Sequence, residues 1–360
     1  MKYRKIIIIK IIISYILYYS GFIWFYNKIR SIFYFSEIKI LAYHNISYDY
    51  PKFLSLSQPP NLFESQLKYL LNHYEIISLE NALNMLKNKK RLKKDKIVLT
   101  FDDNYKEYYT HLFALKKKYN FDFTIFAAVD PLESKKLLFV DGLVYAIGLS
   151  NRETLDMRQS GLDNYCINTH KDKQNTISTI NKYSQKLSTS DRKKLLCSIY
   201  DALGIDKNDF AKFTLTWNEL SEMADKGVSI GAHTLSHPKL TAVSDKEAEQ
   251  EIVQSKKIIA QKINRKVDFF AYPYGTDQSY NQKVENIVKK AGFVCACTLN
   301  KKESLKNLFA LKRINIDSSA CSYMDRHFFK SMFALKLSGL YDSIFFTHIK
   351  SCLSRLNINR

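Results

Sequence analysis

The chain has 360 residues, enough for one large domain or two ordinary ones, and 46% hydrophobic with 25% charged residues excludes a disordered polypeptide. Lys+Arg of 55 against Asp+Glu of 35 gives a formal charge of +20, a balance that suits an anionic membrane surface or glycan. The lysines are spread along the whole chain and no nucleic-acid-binding module is visible, so nucleic acid is not an expected partner.

The N-terminus, Met1–Lys5, is basic, and Ile6–Tyr26 is apolar apart from Lys10. A run of about 20 residues matches a ~30 Å hydrocarbon core crossed as a helix. Residues 1–35 are therefore expected to form a hydrophobic membrane anchor and linker, with no cleavage site behind it, the alternative being an amphipathic or cleaved segment. The basic residues slightly favour an inside N-terminus, which places the body on the extracytoplasmic side of a single-pass protein.

Ile38–Tyr43 reads as a strand ending at His44. Two helices follow, over Pro59–Tyr74 by apolar spacing and over Leu79–Leu86 behind the cap Ser78. Ile97-Val-Leu-Thr-Phe-Asp-Asp-Asn-Tyr105 is a buried strand running into two adjacent carboxylates, with a helix to Tyr119. Phe123–Val129 is the next strand. From about 132 to 213 the pattern loosens into a polar, mainly helical segment that reads as an insertion or a lid over the core.

Regular alternation then resumes. Thr216-Trp-Asn-Glu219 and Ser244-Asp-Lys-Glu247 are capping boxes that open two helices. Strands at Val228–Ala232, Val267–Ala271, Val294–Thr298 and Phe309–Ile314 end in or carry His233, Tyr272-Pro-Tyr-Gly275 and Arg313. Cys295 and Cys297 fall on one face of their strand as core residues, and the six cysteines show no metal-finger spacing. About seven β/α units indicate an α/β fold, a distorted (β/α) barrel over residues 36–320. Residues 321–360 form an extension that the pattern does not assign. In such barrels sites gather at the C-terminal strand ends, where His44, Asp102, Asp103, His233 and Tyr274 all fall.

The residue types there suit metal chemistry. Two neighbouring buried acids are costly to ionise, and a cation removes most of that cost. His233-Thr-Leu-Ser-His237 sets two imidazoles four apart, able to chelate one ion on a helix-like turn. With Asp103 the chain offers three ligands and an open position, the pattern of a catalytic zinc, with cobalt or nickel also accepted. Such an ion lowers the pKa of water from 15.7 toward ~7 and polarises a carbonyl. Asp102 is then the candidate general base, the Tyr274 N–H an oxyanion donor, and His44 the acid. Each of these motifs taken alone also has an ordinary structural explanation, as a turn, a surface histidine pair or a buried histidine.

Thr100-Phe-Asp-Asp103, His233-Thr-Leu-Ser-His237 and Phe270-Ala-Tyr-Pro-Tyr-Gly275 together resemble the signature motifs of the polysaccharide deacetylase family, carbohydrate esterase family 4. The resemblance runs from about Ile38 to Asp317. It implies a metal-dependent N-deacetylase of N-acetylhexosamine glycans, with Asp102 as base and Asp103, His233 and His237 on the metal. Leu41-Ala-Tyr-His44 resembles the permuted acid of exopolysaccharide deacetylases, with His348 as rival. Two positions depart from the pattern: Asn104 stands for the usual Gly, and Ala271 for an Arg that orients the base, a role Arg313 is placed to take over. The expected substrate is a bacterial cell-surface or lipid-linked glycan. Two alternatives are hydrolysis of another C–N bond, such as a cyclic amide, and a catalytically silent glycan-binding protein.

Overall fold

Seven short apolar runs become the strands of one closed barrel in the computed structural model, which describes residues 2–34, 37–48, 57–88, 92, 94–317, 322–323, 327–341 and 344. The strands are β1 (Ile38–Tyr43), β2 (Lys96–Asp102), β3 (Thr124–Ala127), β4 (Ser229–Ala232), β5 (Phe269–Ala271), β6 (Cys295–Thr298) and β7 (Leu311–Asn315). Each pairs in parallel with its successor, and β7 closes onto β1 with Ile40 opposite Arg313. The β/α alternation explains this order, because parallel neighbours need a crossover that helices supply.

Side-chain alternation divides each strand between two environments. Ile40, Val98, Phe126, Phe269, Cys295, Cys297 and Leu311 pack together as one buried cluster along the lumen. The opposite faces, including Leu41, Leu99, Ile125, Phe270 and Ala296, pack under the surrounding helices. The two cysteines are free thiols within the first cluster. Helix starts follow the expected caps. Thr216 and Glu219 form a complete capping box, whereas Ser244 accepts from the Glu247 N–H without the reciprocal bond.

The insertion between β3 and β4 has its own hydrophobic cluster, with Phe139, Tyr145, Ile180, Ile199 and Phe210 among its members. Three helices, Phe139–Leu149, His170–Ser184 and Thr189–Leu203, and a hairpin of Thr154–Asp156 with Asn164–Cys166 build it. Its returning segment closes on the loop after β2, where Leu215 N donates to Asn104 O at 2.9 Å and Lys106 N to Phe213 O at 3.0 Å.

The N-terminal apolar run is not one helix. It forms two helices, Lys2–Tyr19 and Phe22–Tyr34, bent by 66°. Gly21 at φ 78° makes the bend, a backbone angle that glycine reaches without steric cost. Among the described residues no single helix is long and apolar enough to cross a membrane. The first helix packs beside Lys330–Leu337, a helix in the region the sequence pattern left unassigned.

Gly231 on β4 tests how tightly the lumen is filled. A Cβ there would lie 2.6 Å from Phe126 Cδ1 and 2.9 Å from the Phe269 carbonyl oxygen. The backbone contact leaves no easy relief, so Gly231→Ala should cost about 1–3 kcal/mol of stability through overpacking. Urea unfolding measures this, and an unchanged midpoint would show that the lumen has slack.

Candidate active site

Because all seven strands run the same way, their C-terminal ends share one rim. Asp102 is the last residue of β2, and the chain leaves it through Asp103 and Asn104 at φ 78° and 57°. The Asn104 amide grips the Ala128 backbone from both sides: Nδ2 donates to the carbonyl, and Oδ1 accepts from the N–H at 3.2 Å. Glycine could make this turn but not this clamp, which accounts for Asn at the position. After β4, Thr234 and His237 also sit at positive φ, 69° and 58°, and Thr234 Oγ1 accepts from His237 N at 3.0 Å. Tyr274, after β5, is at φ 61°. Five of the eight described non-glycine residues at positive φ thus lie in these three loops, a concentration of backbone strain of the kind that marks functional sites.

These loops bring Asp103, His233 and His237 together. Their ligand atoms lie within 4.8 Å of one another, and Asp103 Oδ1 is 3.6 Å from both His233 Nε2 and His237 Nε2. That is too long for a hydrogen bond. It does match two ligand atoms, each ~2.1 Å from one tetrahedral ion, which stand about 3.4 Å apart. Asp103 Oδ1 is buried and, among the described residues, has no hydrogen-bond partner. His233 Nδ1 contacts the Ala271 carbonyl at 2.8 Å, which fixes the tautomer and turns the Nε2 lone pair toward Asp103. Burial lowers the pKa of both imidazoles, His233 to about 4, and so keeps them in the neutral form that ligates metals. Burial, with Asp141 and Asp102 nearby, pushes the Asp103 carboxyl well up. A cation among the three would reverse that penalty, so the residues fit a divalent metal.

Asp102 stands beside this group in a different state. Arg313 Nη1 and Nη2 donate to its Oδ1 and Oδ2, both at 2.8 Å, and Nη1 also donates to Thr100 Oγ1 at 3.1 Å. Burial alone would raise Asp102, but Arg313 and the His233 ring outweigh it and hold the carboxyl at about 2. The orienting arginine therefore comes from β7, in place of the position that Ala271 occupies.

His44 follows β1 next to Asp102, and burial lowers its pKa. Tyr108 Oη donates to the His44 carbonyl at 3.0 Å and to the Asp102 carbonyl, tying the two loops. Tyr108 opens a π-helical turn, Tyr108–Leu112, where an uninterrupted helix was expected. The Tyr274 ring packs on His237 with centroids 5.0 Å apart, and among the described residues its N–H has no backbone acceptor. His348 lies outside the described residues.

Three residues near the site escape motif reasoning. Asp141, from the insertion, is buried, accepts from Tyr105 Oη at 2.7 Å and is raised by burial to about 7. Arg192, also from the insertion, donates to the His237 carbonyl at 3.1 Å and reaches Tyr274 Oη at 3.5 Å. Glu251 accepts from Leu235 N at 2.8 Å, Ser236 N at 2.9 Å and Ser236 Oγ at 2.6 Å, pinning the His233–His237 loop. Capping and helical periodicity account for their sequence positions, and nothing local signals the contact.

Comparison with known proteins gives one family. The profile of the polysaccharide deacetylase family matches residues 89–296. YxkH of Bacillus subtilis (strain 168), assigned by name to the polysaccharide deacetylases, is 22% identical over 284 residues, 78% of this chain and 72% of that protein. The Streptococcus pyogenes deacetylase PplD, solved in complex with acetate, aligns with a TM-score of 0.52 at 21% identity, over 78% of this chain and 92% of that one. A de-N-acetylase from Aggregatibacter actinomycetemcomitans aligns at 0.52 and 17% identity, over 79% and 97%. At these identities the two solved structures establish a shared fold.

Removing the arginine isolates the Asp102 carboxylate. Arg313→Met should cost about 3–5 kcal/mol at neutral pH, because a buried charge loses its partner. In the native protein the Asp102 carboxyl sits below its usual value, at about 2, so its stabilisation is present above about pH 4 and lost as pH falls toward 2. The gap between variant and native protein should therefore shrink as pH is lowered through this window. Urea denaturation across pH measures it, and a gap independent of pH would contradict the charge pairing.

Proposed function

The chain belongs to the polysaccharide deacetylase family, hydrolases of carbon–nitrogen bonds, and from that premise we propose a metal-dependent N-deacetylase that acts on N-acetylhexosamine residues of a bacterial cell-surface or lipid-linked glycan. The observation that carries the reading is Asp103 Oδ1, unpartnered among the described residues, facing two neutral imidazoles beside an ionised, arginine-bound Asp102.

Asp103, His233 and His237 would hold a divalent ion, with zinc the best match to this donor set and cobalt or nickel alternatives. When bound, such an ion supplies Lewis acidity toward a carbonyl and toward water. Asp102 is kept for another task, since both its oxygens are engaged by Arg313. Ionised at any physiological pH, it can accept the proton of an attacking water as general base. The Tyr274 N–H is in reserve for the oxyanion that develops on the acetamide oxygen, an effect commonly worth ~3–4 kcal/mol. His44 is assigned the transfer of a proton to the leaving amine. Burial keeps it neutral, so it must gain a proton before it can donate one, and the adjacent Asp102 carboxylate favours that charged form.

Alanine at Asp103, His233 or His237 should abolish metal content and acetate release from N-acetylglucosamine oligomers together. Asp102→Asn should keep the metal and lower turnover by about 10²–10⁴-fold. Atomic emission and an acetate assay read the two quantities. Full turnover of Asp102→Asn would remove the base assignment, and acetate release untouched by chelator would remove the metal.

A further inference from the structure

Large apolar side chains are seldom left in water in quantity. Here ten of the thirteen described as exposed lie between Ile8 and Ile29, so the apolar surface is concentrated on the bent N-terminal helix pair. Ile12, Ile16, Tyr19, Phe22, Trp24 and Phe25 are between 46% and 64% exposed.

The other side of the same pair is held by the barrel body along its length. Ser14, fully buried, hydrogen-bonds Ser331 Oγ at 3.0 Å, and Ile23 is part of the main core. Lys10 Nζ reaches Tyr341 Oη at 3.5 Å. Arg30 pairs with Asp95 at 2.9 Å and with Glu37, at the strand starts of β1 and β2, the rim opposite the candidate site. A helix gripped this way cannot be ringed by lipid, so the segment is poorly suited to span a bilayer while docked. It presents one apolar side only, interrupted by the 66° bend at Gly21.

Charge indicates what covers that side. Residues 1–36 contain six Lys or Arg and no acidic residue, and Lys28 Nζ lies 4.8 Å over the Trp24 ring. An aromatic and aliphatic face with Lys28 at the Trp24 ring, in a segment whose charged residues are all basic, is the chemistry of a helix lying in the headgroup layer of an anionic membrane. We propose that this bent pair is an in-plane docking surface for an anionic bilayer, seating the barrel on the membrane without crossing it. The proposal is independent of the reaction assigned to the site.

The chain has two tryptophans, so Trp217→Phe in the full chain leaves Trp24 as the only reporter. This protein should float with vesicles of equimolar phosphatidylglycerol and phosphatidylcholine, and far less with phosphatidylcholine alone. Trp24 should be quenched more by a nitroxide near the headgroup than by one near the acyl-chain end. Adding Ile12→Glu and Ile16→Glu should weaken vesicle binding about tenfold or more, with the unfolding midpoint unchanged because both side chains are exposed. Stronger quenching by the deep nitroxide would replace the proposal with a spanning segment. Equal flotation with neutral vesicles, no flotation, or a dimer that the double substitution dissociates in sedimentation would each overturn it.

Discussion

Across the upper end of the barrel lumen, Arg313 on β7 grips both carboxylate oxygens of Asp102 on β2, and the rest of the site is arranged around that pair. A buried ion pair is a weak source of stability, since desolvation offsets most of the attraction. Its effect here is to make two adjacent acids unequal. Asp102 has a full positive partner and stays ionised, whereas Asp103, one residue on, has none among the described residues and faces two neutral rings. Two neighbouring carboxylates buried together need two positive charges. The polypeptide supplies one, and the geometry leaves room for a metal ion to be the other.

The fold makes this inequality durable. Strands of one direction place every functional loop on a single rim, and the filled lumen below fixes their spacing. The loops themselves are held in unfavourable backbone angles by bonds from elsewhere: Asn104 to Ala128, Glu251 to Leu235 and Ser236, Arg192 to His237. Two of the residues converging there, Asp141 and Arg192, come from the insertion. That segment has its own small core and braces the loops of the site.

Much of this was legible in the sequence for a definite reason. Strand ends in a parallel barrel converge, so residues at those ends can be grouped without knowing distances; His44, Asp102, Asp103, His233 and Tyr274 were found that way. Arg313 was reachable because Ala271 left vacant a role that another residue had to fill. Asp141, Arg192 and Glu251 were not legible, because each sits on a helix whose periodicity its neighbours already explain, and only tertiary packing turns it toward the site. The N-terminal helices were legible only in part. Hydropathy along Ile6–Tyr26 cannot distinguish one straight helix from two bent at Gly21, although Ser20-Gly21 was the available signal. Nor can it reveal that Ser14 meets Ser331 from the far end of the chain.

The central claim is that one divalent ion is shared by a carboxylate and two imidazoles drawn from distant strands. X-ray absorption of the zinc-loaded protein tests it most directly. The account predicts a single zinc per chain with two imidazole nitrogens at about 2.0–2.1 Å and oxygen completing a tetrahedral shell, and loss of that zinc site in His237→Ala. Sulfur in the shell, or a spectrum identical in that variant, would place the metal elsewhere and contradict the account.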